Sequence, residues 1–411
     1  MPEFLKLMPP DAALKAFFDQ IPHARPKTET VETVYALGRV LAGPVIAPET
    51  LPAFSRSTVD GFAVWAADTF GASDSLPIYL TLVGEVPMGA EPGFSVAANQ
   101  AAVIHTGGML PEGADAVVMM EYTQMARADE VEIMRAAAVG ENIIKAGEDV
   151  VTGQEVLRGG TRLRPAQIGG LLALGITEVT VNRPPRFGIL SSGDEVISPE
   201  KKPETGQVRD TNSYSLSALI EQHGGQPVRY GISPDNPQAL RLMVEKALTE
   251  NDAVVITAGS SASTRDLTSN IIDSLGKPGV LVHGVNVRPG KPTILGVCDG
   301  KPAIGLPGNP VSALVIAELF VKPVVRYLAG MPVDEPRAFV PARLSLNIST
   351  PDGRESWVPV RLVAGEEGYL AEPIFYKSNL IFTLANADGL IQIPAAANGL
   401  AAGEEVRVYL I

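Results

Sequence analysis

From Arg186 to about Gly330 the chain alternates short apolar runs with helical spacings, and this alternation constrains the fold more than any other feature. Residues 187–190, 228–232, 253–257 and 294–297 read as strands; residues 212–222, 236–248 and 266–275 read as helices. Gly224-Gly225 stops the first helix, and Asn236 as N-cap with Pro237 in the first turn opens the second. Repeats of this kind build a mainly parallel, doubly wound sheet. The region closes with the run Pro302-Ala303-Ile304, the turn Gly305-Leu306-Pro307-Gly308-Asn309-Pro310 and a helix over 311–327. Two glycines and two prolines within six residues make a rigid turn that a ligand can approach closely. The helix after it is expected to aim free N–H groups at the turn, which suits an anion. A βα connection that binds nothing carries the same residue types.

The flanks differ. Ala12, Leu14, Phe17 and Phe18 recur at helical intervals, and a second helical pattern runs over 31–41. Residues 55–141 hold β-rich runs at 78–83, 102–105, 116–119 and 131–134, punctuated by Gly, Pro and Asp. A linking stretch with a helix over 164–174 follows, and residues 336–411 return to short strands with polar turns. The expected architecture is multidomain, α/β plus β. It has a linking helical and extended domain (1–45 with 142–182), a β-rich module (46–141), a doubly wound α/β domain (183–331) and a small C-terminal β domain (332–411).

The 411 residues carry a net charge of −13, which lacks the basic field a nucleic-acid or anionic-membrane surface needs. The single cysteine, Cys298, excludes an intrachain disulfide and reads as a core residue. Four histidines argue against a histidine-built zinc centre. No apolar run approaches the ~18 residues of a membrane span, and residues 1–5 lack signal-peptide features, so a cytoplasmic protein is expected.

Ligands of open α/β sheets bind at the carboxyl ends of the strands. Four turns fall there: Ser191-Ser192-Gly193-Asp194-Glu195, Ser233-Pro234-Asp235-Asn236, Thr257-Ala258-Gly259-Ser260-Ser261 leading to Asp266, and the Gly305 turn. Small residues expose backbone N–H groups to phosphate oxygens. Glu195, Asp235 and Asp266 would repel a phosphate unless a divalent cation lay between, an environment typical of magnesium. As helix caps or solvated loop charges the same acids need no ligand. Arg288 and Lys291 flank a Pro-Gly turn and are candidates for an oxyanion or phosphate clamp in an acidic chain, the alternative being a solvated turn. In the β-rich module, Asp60-Gly61 follows Arg56-Ser57-Thr58-Val59, and His105-Thr106-Gly107-Gly108 ends a strand.

The motifs Ser57-Thr58-Val59-Asp60-Gly61-Phe62, Thr106-Gly107 with Pro111-Glu112-Gly113-Ala114-Asp115, and Gly140-Glu141-Asn142 with Gly147-Glu148-Asp149 occur in this order along the chain. They are followed by Ser191-Ser192-Gly193-Asp194-Glu195, Arg288-Pro289-Gly290-Lys291-Pro292 and the Gly305 turn. The series resembles the molybdopterin molybdenumtransferases, the MoeA proteins and the gephyrin E domain, over nearly the whole chain. The resemblance implies a central molybdopterin-binding α/β domain and a homodimer with a cleft shared between subunits. It also implies insertion of molybdenum from molybdate (or tungsten from tungstate) into adenylylated molybdopterin, with magnesium present and AMP released. Carried over, Asp60, Thr106, Asp149, Glu195, Asp235 and Asp266 are catalytic, and Glu195, Asp235 and Asp266 hold the metal. Ser192, Gly193, Thr257, Gly259, Ser260, Arg288, Lys291, Pro307, Gly308, Asn309 and Pro310 bind substrate. Molybdoenzymes or other proteins of the pathway are the expected partners.

The third turn departs from the family pattern: Ser260 and Thr264 stand where glycines are usual, and Arg265 adds a positive charge. The change leaves the choice of oxyanion open. It also motivates a second reading, a cofactor binder or carrier without catalysis. A third is a nucleotide-phosphate hydrolase with a similar α/β domain, like the competence-damage-inducible proteins.

Overall fold

The computed structural model describes residues 7–22, 26–258, 262–333, 336–351, 353–375 and 377–411. They form two compact units, one of 43–159 with 165–178 and one comprising the remainder.

The β-rich unit is built on a six-stranded sheet. Its strands are β1 (Gly61–Val64), β2 (Ile78–Glu85), β3 (Gln100–Ile104), β4 (Ala116–Met119), β5 (Thr123–Arg127) and β6 (Glu130–Ile133), in the order β4-β1-β3-β2-β6-β5. Strand β1 is central and wholly buried. Its alternate side chains feed two clusters, Phe62 and Val64 with Leu80 and Val131 on one face, and Ala63 with Ile104 and Val117 on the other. The expected helix is found as Pro165–Ala173.

The α/β part of the other unit follows the predicted alternation: β7 (Arg186–Ser192), α1 (Asn212–Gln222), β8 (Gln226–Ser233), α2 (Pro237–Glu250), β9 (Ala253–Ala258) and α3 (Ala262–Ser274). Next come β10 (Pro278–His283), β11 (Ile294–Cys298), β12 (Lys301–Pro307) and α4 (Pro310–Ile316). A π turn, Ala317–Val321, carries α4 into the helix Lys322–Leu328. The sheet order is β8-β7-β9-β12-β11-β10, parallel over its first four strands and antiparallel beyond. Strand β7 is buried from Phe187 to Ser192, as a strand covered by helices on both faces must be. Asn236 caps α2 as expected, its Oδ1 accepting the N–H groups of Gln238 and Ala239 at 2.9 and 3.0 Å. Cys298 is a core residue; burial pushes its thiol up to about 11, and Sγ donates to the Ile272 carbonyl at 3.3 Å.

Residues 339–411 form a closed ring of strands: β13 (Phe339–Leu344), β14 (Glu355–Gly365), β15 (Gly368–Pro373), β16 (Gly389–Ile393) and β17 (Glu405–Leu410). The order β14-β15-β13-β17-β16 closes through the β14–β16 pairing.

One expectation fails. Residues 31–41 are not a helix: they run through the strand Thr28–Glu32, the 3-10 turn Thr33–Tyr35 and the strand Val40–Leu41. Both strands flank Glu178–Asn182 in a three-stranded sheet. The distant partner overrides the local period, and Gly38 at φ +77 makes the turn between them.

His223, just after α1, gives the fold a pH dependence. Burial, reinforced by Lys322, lowers its pKa to about 4, and its Nε2 is buried without a partner among the described residues. The folded ring takes its proton at lower pH than the unfolded chain does, so stability is present above about pH 6.5 and is lost as pH falls toward 4. Allowing for solvent screening of a partly exposed ring, urea unfolding is expected to show a loss of about 1 kcal/mol from this group between pH 7 and 5. His223→Leu should flatten that slope; an unchanged slope would exclude the ring as its source.

Candidate functional site

The predicted residues fall into two clusters, one in each unit. In the β-rich unit, β1 pairs antiparallel with β3 and β4, with Gly61 opposite Ile104 and Met119. This register sets Asp60, just before β1, beside His105 and Thr106, just after β3. Asp60 Oδ1 accepts the Thr106 backbone N–H at 2.7 Å and the Thr106 hydroxyl at 3.0 Å. The Thr106 N–H, then its hydroxyl and, to a smaller extent, His105 hold the Asp60 carboxyl below its usual range. The His105 ring bridges two acids, with Nε2 2.8 Å from Glu85 Oε1 and Nδ1 3.8 Å from Asp60 Oδ1. Asp60 is thus an exposed, ionised carboxylate held in one orientation. Asp149 lies in the same unit, where its N–H donates to the Leu51 carbonyl at 3.2 Å. Its side chain is exposed and is not hydrogen-bonded to Asp60 or Thr106.

The second cluster lies along the carboxyl edge of the α/β sheet. Ser192 pairs with Ser233, Ser191 with Thr257, and Thr257 and Ala258 with Leu306 and Pro307. Ser192, Gly193, Thr257, Pro307 and Gly308 therefore come to one edge. The Ser191 and Thr257 hydroxyls are 2.9 Å apart. Ser192 Oγ donates to Asp235 Oδ1 at 3.0 Å, and Asp194 Oδ1 accepts the Asp235 N–H at 3.1 Å. Asp194 thus joins the edge beside the expected Glu195. Glu195 is exposed, and its Oε2 lies 2.8 Å from where a Cβ on Gly193 would stand. Only glycine lets that carboxylate fold back over the turn. Gly259, Ser260 and the side chain of Asp266 lie outside the described residues. Among the described residues no group of three His, Cys, Asp or Glu side chains has metal-binding geometry.

The turn after β12 is held from two sides. Asn212 Nδ2 donates to the Gly308 carbonyl at 2.8 Å, and Asn309 Nδ2 donates to Ser378 Oγ at 3.0 Å. The Ser378 carbonyl accepts the Val311 N–H at 3.1 Å. This corrects the expected row of free donors: Pro310 has no N–H and that of Val311 is spent. Asn212 and Ser378 escaped the sequence reading because nothing local ties them to the turn, which lies 96 and 69 residues away along the chain. Ile294 pairs with Gly305, so the basic turn preceding β11 reaches the carboxyl end of β12. Gly290, at φ +117, brings that turn against Ile316, where a Cβ would come within 2.3 Å of Cγ1. Arg288 is exposed and Lys291 partly so. Hollows of about 730 and 440 Å³ flank the N-terminal helix Pro10–Phe18, and neither is lined by residues of this edge.

Three family models match the chain: MoeA N-terminal region (domain I and II) over residues 8–175, probable molybdopterin binding domain over 188–327, and MoeA C-terminal region (domain IV) over 341–411. The molybdopterin molybdenumtransferase of Bacillus subtilis is 34% identical over 391 residues, 94% of this chain and 90% of that protein. That of a Nostoc species is 34% identical over 386 residues, 93% of this chain and 88% of that one. The crystal structure of the molybdopterin biosynthesis MoeA protein of Pyrococcus horikoshii superimposes with a TM-score of 0.85 at 34% identity, covering 99% of this chain and 100% of that one. Three consecutive domain matches and full-length likeness in sequence and fold place the chain in the MoeA family of molybdopterin molybdenumtransferases, enzymes of molybdenum cofactor biosynthesis.

Proposed function

We propose that the protein inserts molybdenum from molybdate into the dithiolene of adenylylated molybdopterin and releases AMP in a magnesium-dependent reaction. The observation that carries this reading is the sheet edge where the Ser192–Asp235–Asp194 array and the Gly308 turn both stand at carboxyl ends of parallel strands. The donors there are all oxygen. Magnesium prefers such a set, keeps several waters and needs few carboxylates beside a substrate phosphate. Asp235 and Glu195, with Asp266, would hold it, and when bound it would neutralise charge on the phosphoanhydride.

The chain's own groups have the following parts in this reading. Ser192 orients Asp235, while Gly193, Thr257, Gly259 and Ser260 belong to the turns that take the phosphates. Arg288 and Lys291 hold the oxyanion. Pro307, Gly308, Asn309 and Pro310 keep the turn rigid against the pterin. Asp60, fixed by Thr106, and Asp149 supply carboxylates to the reacting groups. The protein acts as a homodimer in which Asp60 of one subunit serves the Asp235 edge of its partner.

The test is AMP release from adenylylated molybdopterin with magnesium and molybdate, tungstate or neither. Oxyanion-dependent release is expected; tight binding without release would favour a carrier. Mixing inactive Asp60→Ala and Asp235→Ala proteins is expected to restore about a quarter of the activity, since half of random dimers are mixed and each holds one intact site. No recovery after subunit exchange would defeat the shared site.

A further inference from the structure

We infer that Asn212 reads an exocyclic amine of the substrate's nitrogen heterocycle, through a side-chain oxygen left without a protein partner among the described residues. The inference rests on the substrate edge proposed above. Asn212 is the first residue of α1 and is only 9% exposed. Its Nδ2 donates to the Gly308 carbonyl at 2.8 Å. That bond fixes the amide orientation, because the flipped amide would set two oxygens against each other. The buried atom without a partner is therefore Oδ1.

A buried acceptor left unpaired costs about 1–3 kcal/mol, and native proteins seldom leave one without cause. The donors of Ser213 and Ser215, which follow it in α1, are committed. The Ser213 N–H and Oγ both bind Asp210, at 3.1 and 2.5 Å, and Ser215 Oγ binds the carbonyls of Thr211 and Asn212. Among the described residues, the other buried side-chain atoms without partners belong to His223, Asn251, Ser345 and Ser356, none of them in the turns of this edge. Among the described residues, Asn212 alone joins an orphan acceptor to the Gly308 turn.

An acceptor of this kind takes an N–H and turns away a carbonyl. Pterin and adenine both carry an exocyclic amine, and each has a counterpart with oxygen in its place: lumazine for pterin, IMP for AMP. Binding of these four compounds to the full-length protein, by fluorescence for the pteridines and calorimetry for the nucleotides, tests the inference. The wild type is expected to prefer the amine over the oxo member of one pair by roughly tenfold. The pair that shows the preference identifies the ring being read. Asn212→Ala should bring the ratio near one. Asn212→Asp keeps an oxygen but loses the donor to Gly308, so it should bind more weakly yet retain the preference. Circular dichroism checks that both variants fold, and the wild-type ratio stands even if one does not. Equal affinities in the wild type, or a ratio that survives in Asn212→Ala, would overturn the inference while leaving the edge a substrate site. Failure of the wild type to bind any of the four would defeat that reading itself, and this inference with it.

Discussion

Asp60→Ala is expected to lower oxyanion-dependent AMP release by about a hundredfold or more while the thermal midpoint moves by no more than about two degrees. The two expectations come from the same geometry. The carboxylate is exposed, so its removal returns the Thr106 N–H and hydroxyl to water. What disappears is a negative charge fixed by two donors, a preorganisation that a mobile surface acid could not replace. Asp60→Asn keeps the shape and removes the charge; it should resemble Asp60→Ala in rate if charge is what matters. Thr106→Val removes the hydroxyl but leaves the stronger backbone donor, and should cost far less.

The pH dependence follows in sign. The folded carboxyl is depressed below the ordinary 3.8, so the group stays ionised as pH falls to that value, and its contribution is lost only as pH drops through the folded pKa. AMP release should therefore show no inflection from Asp60 between about pH 5 and 8. A wild-type rate in Asp60→Ala would remove this residue from the reaction.

The α/β alternation was legible because its signals are local. Helix α1 spans the predicted residues, and the cap at Asn236 forms as expected, since Asn, Pro and an apolar period each act within one turn. The strand at 28–32 was not legible, because its pairing partner is Glu178–Asn182 and a short period cannot see it. The site divides the same way. Ser192, Thr257 and Pro307 were legible as residues of βα turns, and the parallel register does bring them to one edge. Asp194 was not legible as a member of the edge, because the Asp235 N–H that it accepts lies 41 residues away along the chain. The clip from Ser378 onto α4 was invisible, and it consumes a donor that the helix start was expected to leave free. The contact between Asp60 and Thr106 is a consequence of the β1–β3 register, which neither motif encodes alone.

Gly61→Ala is expected to destabilise the protein by more than about 3 kcal/mol, although alanine is the smallest change available. The backbone at Gly61 is not left-handed, so conformational freedom is not the reason for glycine here. The reason is proximity: a Cβ at this position would stand 2.0 Å from the Val118 carbonyl oxygen and 2.9 Å from its carbon. Both atoms are backbone, so no rotamer change relieves the clash. Strand β4 would have to leave β1, which opens one side of a central strand and uncovers the packing of Phe62 and Val118. Gly107→Ala supplies the contrast. Gly107 has φ +86 and open space around it, so alanine there meets only the left-handed strain of about 1 kcal/mol. Calorimetry of the full chain should show a large fall in the midpoint for Gly61→Ala and a small one for Gly107→Ala. Equal effects would mean that strain, not the approach of β4, accounts for glycine beside Asp60. Because β1 also sets the register that brings Thr106 to Asp60, whatever Gly61→Ala protein remains folded should lose AMP release as well. Asp60→Ala would lose activity without losing stability, and that difference separates the acid's chemistry from the glycine's packing.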